Sequence, residues 1–157
     1  SLSQDIGVTV AEAKAYMEAY FATFPGVRKY MDDVVAKARE QGYVETLFHR
    51  RRELPEIRSS NFNMRSFGER VALNMPIQGT AADIMKLAMV AVEKRLKKEL
   101  PEAKLVLQVH DELVFEAPEN EVEEVAALIR ESMQNVVHYD VPFIAEVGIG
   151  DNWAQAH

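Results

Sequence analysis

No cysteine occurs among the 157 residues, which excludes a disulfide framework and a cysteine zinc cluster. Also missing is any run approaching the roughly 18 apolar residues that a membrane span needs, so no membrane partner is expected. The opening residues Ser1-Leu2-Ser3-Gln4-Asp5 have neither the basic start nor the apolar stretch of a secretory signal, which predicts the cytoplasm. There is no internal repeat, low-complexity tract or obvious linker, and this length predicts about one domain with a real hydrophobic core. Positive charge is in short supply: 18 Lys and Arg against 25 Asp and Glu give a net charge of -7. Taken alone, that balance argues against nucleic acid, because affinity for phosphate comes largely from Lys and Arg releasing condensed counterions.

What is present is distributed unevenly. Arg50, Arg51, Arg52, Arg58, Arg65 and Arg70 fall in one stretch against Glu53, Glu56 and Glu69, whereas Glu116 to Glu131 is strongly acidic. A basic strip and an acidic back face are therefore predicted. The 48% hydrophobic and 27% charged content is that of an ordinary globular protein.

Thr9 followed by Glu12 resembles a capping box, and Val10, Ala13, Tyr16, Met17, Tyr20 and Phe21 have helical spacing, predicting a helix over about 10–23. Its aromatics are expected in the core. Phe24-Pro25-Gly26 should end it, and a second helix fits Val27 to Gln41, with Gly42 as its stop. Tyr43 to Leu47 is rich in β-formers and precedes Phe48 to Arg52 and Glu53-Leu54-Pro55, predicting a hairpin whose tip displays the arginines. Ser60-Asn61 is positioned to cap a helix through Met64, Phe67, Val71 and Leu73, which Pro76 kinks or divides before an apolar segment from Ile77 to Leu96. Lys104–Val109 and Leu113–Ala117 read as a second hairpin, separated by His110, Asp111 and Glu112. Glu119 to Val137 is an acidic amphipathic helix, and Pro142 to Val147 a final strand. This order predicts an α+β fold with an antiparallel sheet.

An acid pair at a strand turn is rigidly held at a surface, where a hard divalent cation can take oxygen ligands and keep open positions. Asp111 is the candidate metal ligand, with Glu112 beside it. Two metals about 4 Å apart can assist phosphoryl transfer, but they need a bridging carboxylate from elsewhere. The same turn can equally be a solvated acidic loop, and His110 a packed or hydrogen-bonded histidine. Leu and Val in both strands, with Phe115 in the second, predict that the turn projects from a buried sheet. Arg70, Asn74 and Gln78 are spaced by four and share one helical face. Such a face offers donors to the purine N3 and pyrimidine O2 acceptors of the minor groove, or is simply solvated. Arg50, Arg51 and Arg52 suit phosphate contacts, or form a solvated loop.

Three segments taken in order, Tyr43 to Arg52, Arg70-x-x-x-Asn-Met-Pro-Ile-Gln-Gly-Thr-Ala-Ala-Asp83 and Leu107-Gln-Val-His-Asp-Glu-Leu113, closely resemble the family A (DNA polymerase I-like) DNA polymerases. The likeness continues through Val147-Gly148-Ile149-Gly150-Asp151-Asn152-Trp153 and covers essentially the whole chain. The resemblance implies an antiparallel palm-type sheet with flanking helices, residues 1–41 being the end of the fingers and 42–157 the end of the palm. It makes Asp111 and Glu112 the catalytic acids, with Asp111 a ligand of catalytic magnesium (Mg2+). It places His110 near the primer terminus, Arg70, Asn74 and Gln78 toward the minor groove, and Gln108 near the primer strand. The partners implied are primer-template DNA, deoxynucleoside triphosphates and the remainder of the polymerase chain, in a bacterial cytoplasm beside the nucleoid. The family's other catalytic aspartate and its triphosphate-gripping helix are expected upstream of Ser1, leaving the isolated chain inactive. Two further classes stay open: a non-catalytic DNA-binding or structural module, and a metal-dependent nuclease.

Overall fold

The computed structural model describes residues 2–156. It is an α+β chain that divides into two compact units, the first running through Ile77 and the second from Gln78 onward, where length alone predicts one.

In the first unit, α1 (Leu2–Asp5), which the sequence pattern does not announce, precedes α2 (Val10–Thr23). The predicted capping box is formed: the Glu12 N–H donates to Thr9 Oγ1 at 3.3 Å, and the Thr9 N–H donates to Glu12 Oε2 at 2.9 Å. The Glu12 carboxyl is held below its ordinary range, chiefly by the Thr9 hydroxyl and next by the Thr9 N–H. A depressed folded-state value means that the stabilisation is complete above the unfolded carboxylate's range and is lost as pH falls through the folded value. Amide protection in the first turn of α2 is therefore expected to fall on acidification, and less steeply in Glu12→Gln. An equally steep fall in that variant would show that another group is responsible.

The aromatics of α2 are not core. Tyr16 and Tyr20 are 57% and 50% exposed and Phe21 is half-buried, Phe24 just past the helix is 51% exposed, and only Ala13 of this helix is buried. Helical spacing identifies a face without saying what covers it. Pro25 opens α3 (Pro25–Gln41) instead of separating two helices, because the first helical position needs no N–H and favours the fixed φ of proline. Gly42 ends α3 at φ +85° as predicted, a left-handed conformation that a side chain would strain.

Strands β1 (Tyr43–Glu45) and β2 (Arg51–Glu53) pair antiparallel, followed by a 3-10 turn at Pro55–Arg58. Helix α4 (Phe62–Glu99) then runs for 38 residues, with Pro76 inside it and no division there. Its start is capped as predicted, since Asn61 Oδ1 accepts from the N–H groups of Asn63 at 2.9 Å and Met64 at 3.3 Å. Ala72 on one side of Pro76 and Ile84 and Ala88 on the other are buried, and such packing outweighs the local cost of proline. Ala38, Val44, Leu54, Ile57 and Ala72 form the first unit's core. Gly68 is needed there, because a Cβ at this position would lie 2.8 Å from the Ile57 backbone nitrogen.

The second unit holds the remainder of α4, β3 (Lys104–Val109), β4 (Glu112–Glu116), α5 (Val122–Gln134) and α6 (Trp153–Ala156). Val92, Leu96, Leu100 and Ala103 pack with Val125, Leu128 and Ile129 of α5, the apolar face of the amphipathic helix predicted there. Arg95 ties the two helices: its guanidinium donates to both Glu99 oxygens at 3.1 Å, to Glu131 Oε2 at 2.6 Å and to Ser132 Oγ at 3.2 Å. The predicted strand at Pro142 to Val147 does not form. A strand exists only where a neighbour takes its backbone groups, and among the described residues β3 and β4 pair only with each other. Ile144 is 72% exposed there. Downstream, Gly148 approaches α6 so closely that a Cβ would meet the Ala156 carbonyl oxygen.

Candidate functional site

The β3–β4 register pairs Val109 with Glu112, so the connection is the two-residue turn His110-Asp111. Glu112 is the first residue of β4 and is half-buried, whereas His110 and Asp111 are exposed. The expected three-residue turn is thus shorter by one. His110 adopts φ +52°, the left-handed region that histidine enters more readily than most side chains. The Gln108 side-chain amide donates to the His110 carbonyl oxygen at 3.0 Å, bracing the turn from within. The sheet behind it is not buried as expected: Val106 is 48% and Leu107 39% exposed, with an irregularity in the ladder between Leu105 and Leu107. Two strands alone cannot cover both of their faces.

Asp111 therefore presents a carboxylate at a constrained surface position, with the Glu112 backbone next in chain. Both residues border an open cleft of about 1380 Å³ within this unit, whose walls include Met85, Phe115, Val125 and Trp153. The charge chemistry fits a hard divalent cation, which prefers carboxylate oxygen. The number of donors does not complete such a site: among the described residues, no group of three or more His, Cys, Asp or Glu side chains is placed to hold a metal.

Arg70, Asn74 and Gln78 are all exposed on α4. Arg70 and Asn74 belong to the first unit and Gln78 opens the second. The Arg70 Nη1 donates to Ser66 Oγ one turn back at 3.2 Å.

The first hairpin carries its arginines differently from the expectation. Leu47, Phe48 and His49 make the tip, with His49 at φ +60°, while Arg51 and Arg52 lie within β2. Thr46, which is buried and which the sequence reading overlooked, organises the loop. Its hydroxyl accepts from the N–H groups of Phe48 and Arg50 at 3.2 Å each, and its own N–H donates to the Arg50 carbonyl at 3.0 Å. A hydroxyl residue where a strand enters a turn is the one available signal. Arg51 Nε donates to Glu45 Oε1 at 2.7 Å, and its guanidinium lies 4.5 Å above the Tyr43 ring.

The predicted basic strip is largely spent on internal contacts. Arg58 donates to the carbonyls of Arg39, at 2.8 Å, and of Glu40 at the end of α3. Arg65 donates to the Ser59 carbonyl at 3.1 Å. These arginines satisfy backbone acceptors that end a helix or a loop, a use that composition does not reveal.

Residues 1–155 match the family described as DNA polymerase family A. The chain is 50% identical over 155 residues to DNA polymerase I of Streptococcus pneumoniae serotype 4, covering 99% of this chain and 18% of that protein. It is 53% identical over 156 residues to DNA polymerase I of Pseudomonas aeruginosa, covering 99% of this chain and 17% of the relative. The chain thus spans less than a fifth of the length of these relatives. Among solved structures it is similar to the POL domain of Pol1 from M. smegmatis in complex with DNA primer-template and dNTP, with a TM-score of 0.94 and 48% identity over 99% of this chain and 27% of that one.

Proposed function

The chain belongs to DNA polymerase family A, and from that premise we propose that it forms the end of the fingers (residues 1–41) and the end of the palm (42–157) of a DNA-directed DNA polymerase. The reaction is template-directed addition of deoxynucleotides to a primer 3′-hydroxyl. That oxygen attacks the α-phosphorus of the incoming triphosphate, and pyrophosphate departs. The observation that carries the reading is the exposed Asp111 at a braced two-residue turn, on a chain that resembles this family from end to end.

In this reading Asp111 supplies one carboxylate to a magnesium site whose other ligands come from outside these residues, with Glu112 as the adjacent acid. Magnesium bound there would supply Lewis acidity to the phosphoryl transfer. His110 lies near the primer terminus, and Gln108 holds the turn that carries both residues. Arg70, Asn74 and Gln78 donate to minor-groove acceptors common to every base pair, which suits sequence-independent binding. Arg50, Arg51 and Arg52 form the hairpin that approaches DNA phosphates. Primer-template DNA and deoxynucleoside triphosphates, the groups named for the M. smegmatis Pol1 complex, are the partners proposed for this chain. The rest of the polymerase chain is the third, and replication and repair in a bacterial cytoplasm, beside the nucleoid, are the setting. No helix among the described residues is long and apolar enough to cross a membrane.

Primer extension in magnesium tests this. A polymerase-length chain containing the sequence is expected to extend a primer, while the 157-residue chain alone stays at background. Extension by the short chain, with contaminating polymerase excluded, would contradict the need for outside ligands. Failure of the long chain would contradict the polymerase reading.

A further inference from the structure

Arg51 and Arg52, consecutive in β2, cannot act alike, because successive side chains leave opposite faces of a strand and directly opposed residues share a face. The β1–β2 register opposes Tyr43 to Glu53, Val44 to Arg52 and Glu45 to Arg51. One face therefore carries Tyr43, Glu45, Arg51 and Glu53. The other carries Val44, which is buried in the first unit's core, and Arg52, which is exposed, with no acid from either strand.

The contacts agree with this division. Arg51, although its side chain is 61% exposed, is engaged on its own face: Glu45 accepts its Nε–H at 2.7 Å and the Tyr43 ring lies 4.5 Å beneath its guanidinium. Its guanidinium is held above its ordinary value, first by the hydrogen bond to Glu45. A phosphate approaching from this side meets two carboxylates and a cation already compensated by one of them. Arg52 is exposed, and among the described residues its guanidinium has no carboxylate or carbonyl partner. Counterion release requires an uncompensated cation, and only one of the two strand arginines offers it.

We propose that Arg52 is the phosphate contact of this hairpin and that Arg51 is a clamp, engaged by Glu45 and Tyr43, that contributes no phosphate contact of its own. The assignment rests on the reading of the hairpin as a DNA-facing surface. Thr46 acts behind both, since its hydroxyl fixes the Phe48 and Arg50 amides and so the path by which the chain enters β2.

The test measures the affinity of the polymerase-length chain for a primer-template duplex across a salt series, alongside amide protection in β1 and β2. Arg52→Ala is expected to lower the magnitude of the log-affinity against log-salt slope by about one, and Arg52→Lys to restore it, because a point charge suffices for a phosphate. Arg51→Ala is expected to leave the slope unchanged and to lower hairpin protection. Arg51→Lys should not restore that protection, because lysine lacks the planar fork that both binds the carboxylate and stacks on the ring. The proposal is overturned if Arg51→Ala lowers the slope as much as Arg52→Ala, or if neither single variant moves it while joint replacement of Arg50, Arg51 and Arg52 by alanine does. If the joint variant also leaves the slope unchanged, the DNA-facing reading of the hairpin itself fails.

Discussion

Asp111→Ala in a polymerase-length chain is expected to reduce magnesium-dependent primer extension by roughly 10³-fold or more, because a catalytic metal site contributes several kcal/mol of transition-state charge stabilisation. Primer-template binding should stay close to that of the parent, since the contacts assigned to DNA lie on other residues. The turn itself does not depend on this side chain. Its geometry comes from the Val109–Glu112 pair, the left-handed His110 and the Gln108 amide on the His110 carbonyl. A loss of extension with retained binding and unchanged melting therefore reports chemistry and not misfolding. An unchanged extension rate would remove Asp111 from the catalytic set and favour a structural or DNA-binding role for the hairpin.

Leu96→Ala is the substitution expected to cost most stability, about 3 kcal/mol within the roughly 2–5 kcal/mol span for emptying a buried leucine site. Leu96 is 1% exposed, in the cluster that joins the end of α4 to α5. The site should collapse poorly, because Val92 on α4 and Val125, Leu128 and Ile129 on α5 are anchored on two separate helices around it. Leu87→Ala is the matched control: Leu87 is 42% exposed on the same helix, and a surface change of this kind stays within about 0.5 kcal/mol. The denaturant midpoint at constant slope measures both. Equal shifts for the two variants would show that the α4–α5 cluster does not hold the second unit together.

Where one residue type carries a local physical signal, the sequence was readable. Thr9 with Glu12, Asn61 and Gly42 mark helix ends because each satisfies or terminates a backbone pattern within a few residues of itself. The apolar stripe of α5 was legible for the same reason, since its period is local. Features that depend on distant neighbours were not. Tyr16 and Tyr20 of α2 have core composition but stand exposed, Pro142 to Val147 has strand composition but pairs with no strand among the described residues, and Pro76 has breaker composition inside an unbroken helix. The arginines show the limit most clearly. Arg51, Arg58 and Arg65 look alike in the sequence, yet one binds a carboxylate and two bind backbone carbonyls. For the candidate site, the presence of Asp111 at a hairpin turn was legible; the two-residue length of that turn and its brace by Gln108 were not.

The irregularity in β3 bears on how far this hairpin can vary. Leu105 opposes Phe115 and Leu107 opposes Val114, so Val106 is a supernumerary residue in the ladder. Deleting it would make those two pairs consecutive in a regular ladder and would leave every pairing from Leu107 to the turn as it stands. Val106 is 48% exposed, so about half of its surface already faces solvent. The strand thus has a place where chain length can change by one while the position of Asp111 is inherited unaltered, a slack joint upstream of a fixed tip.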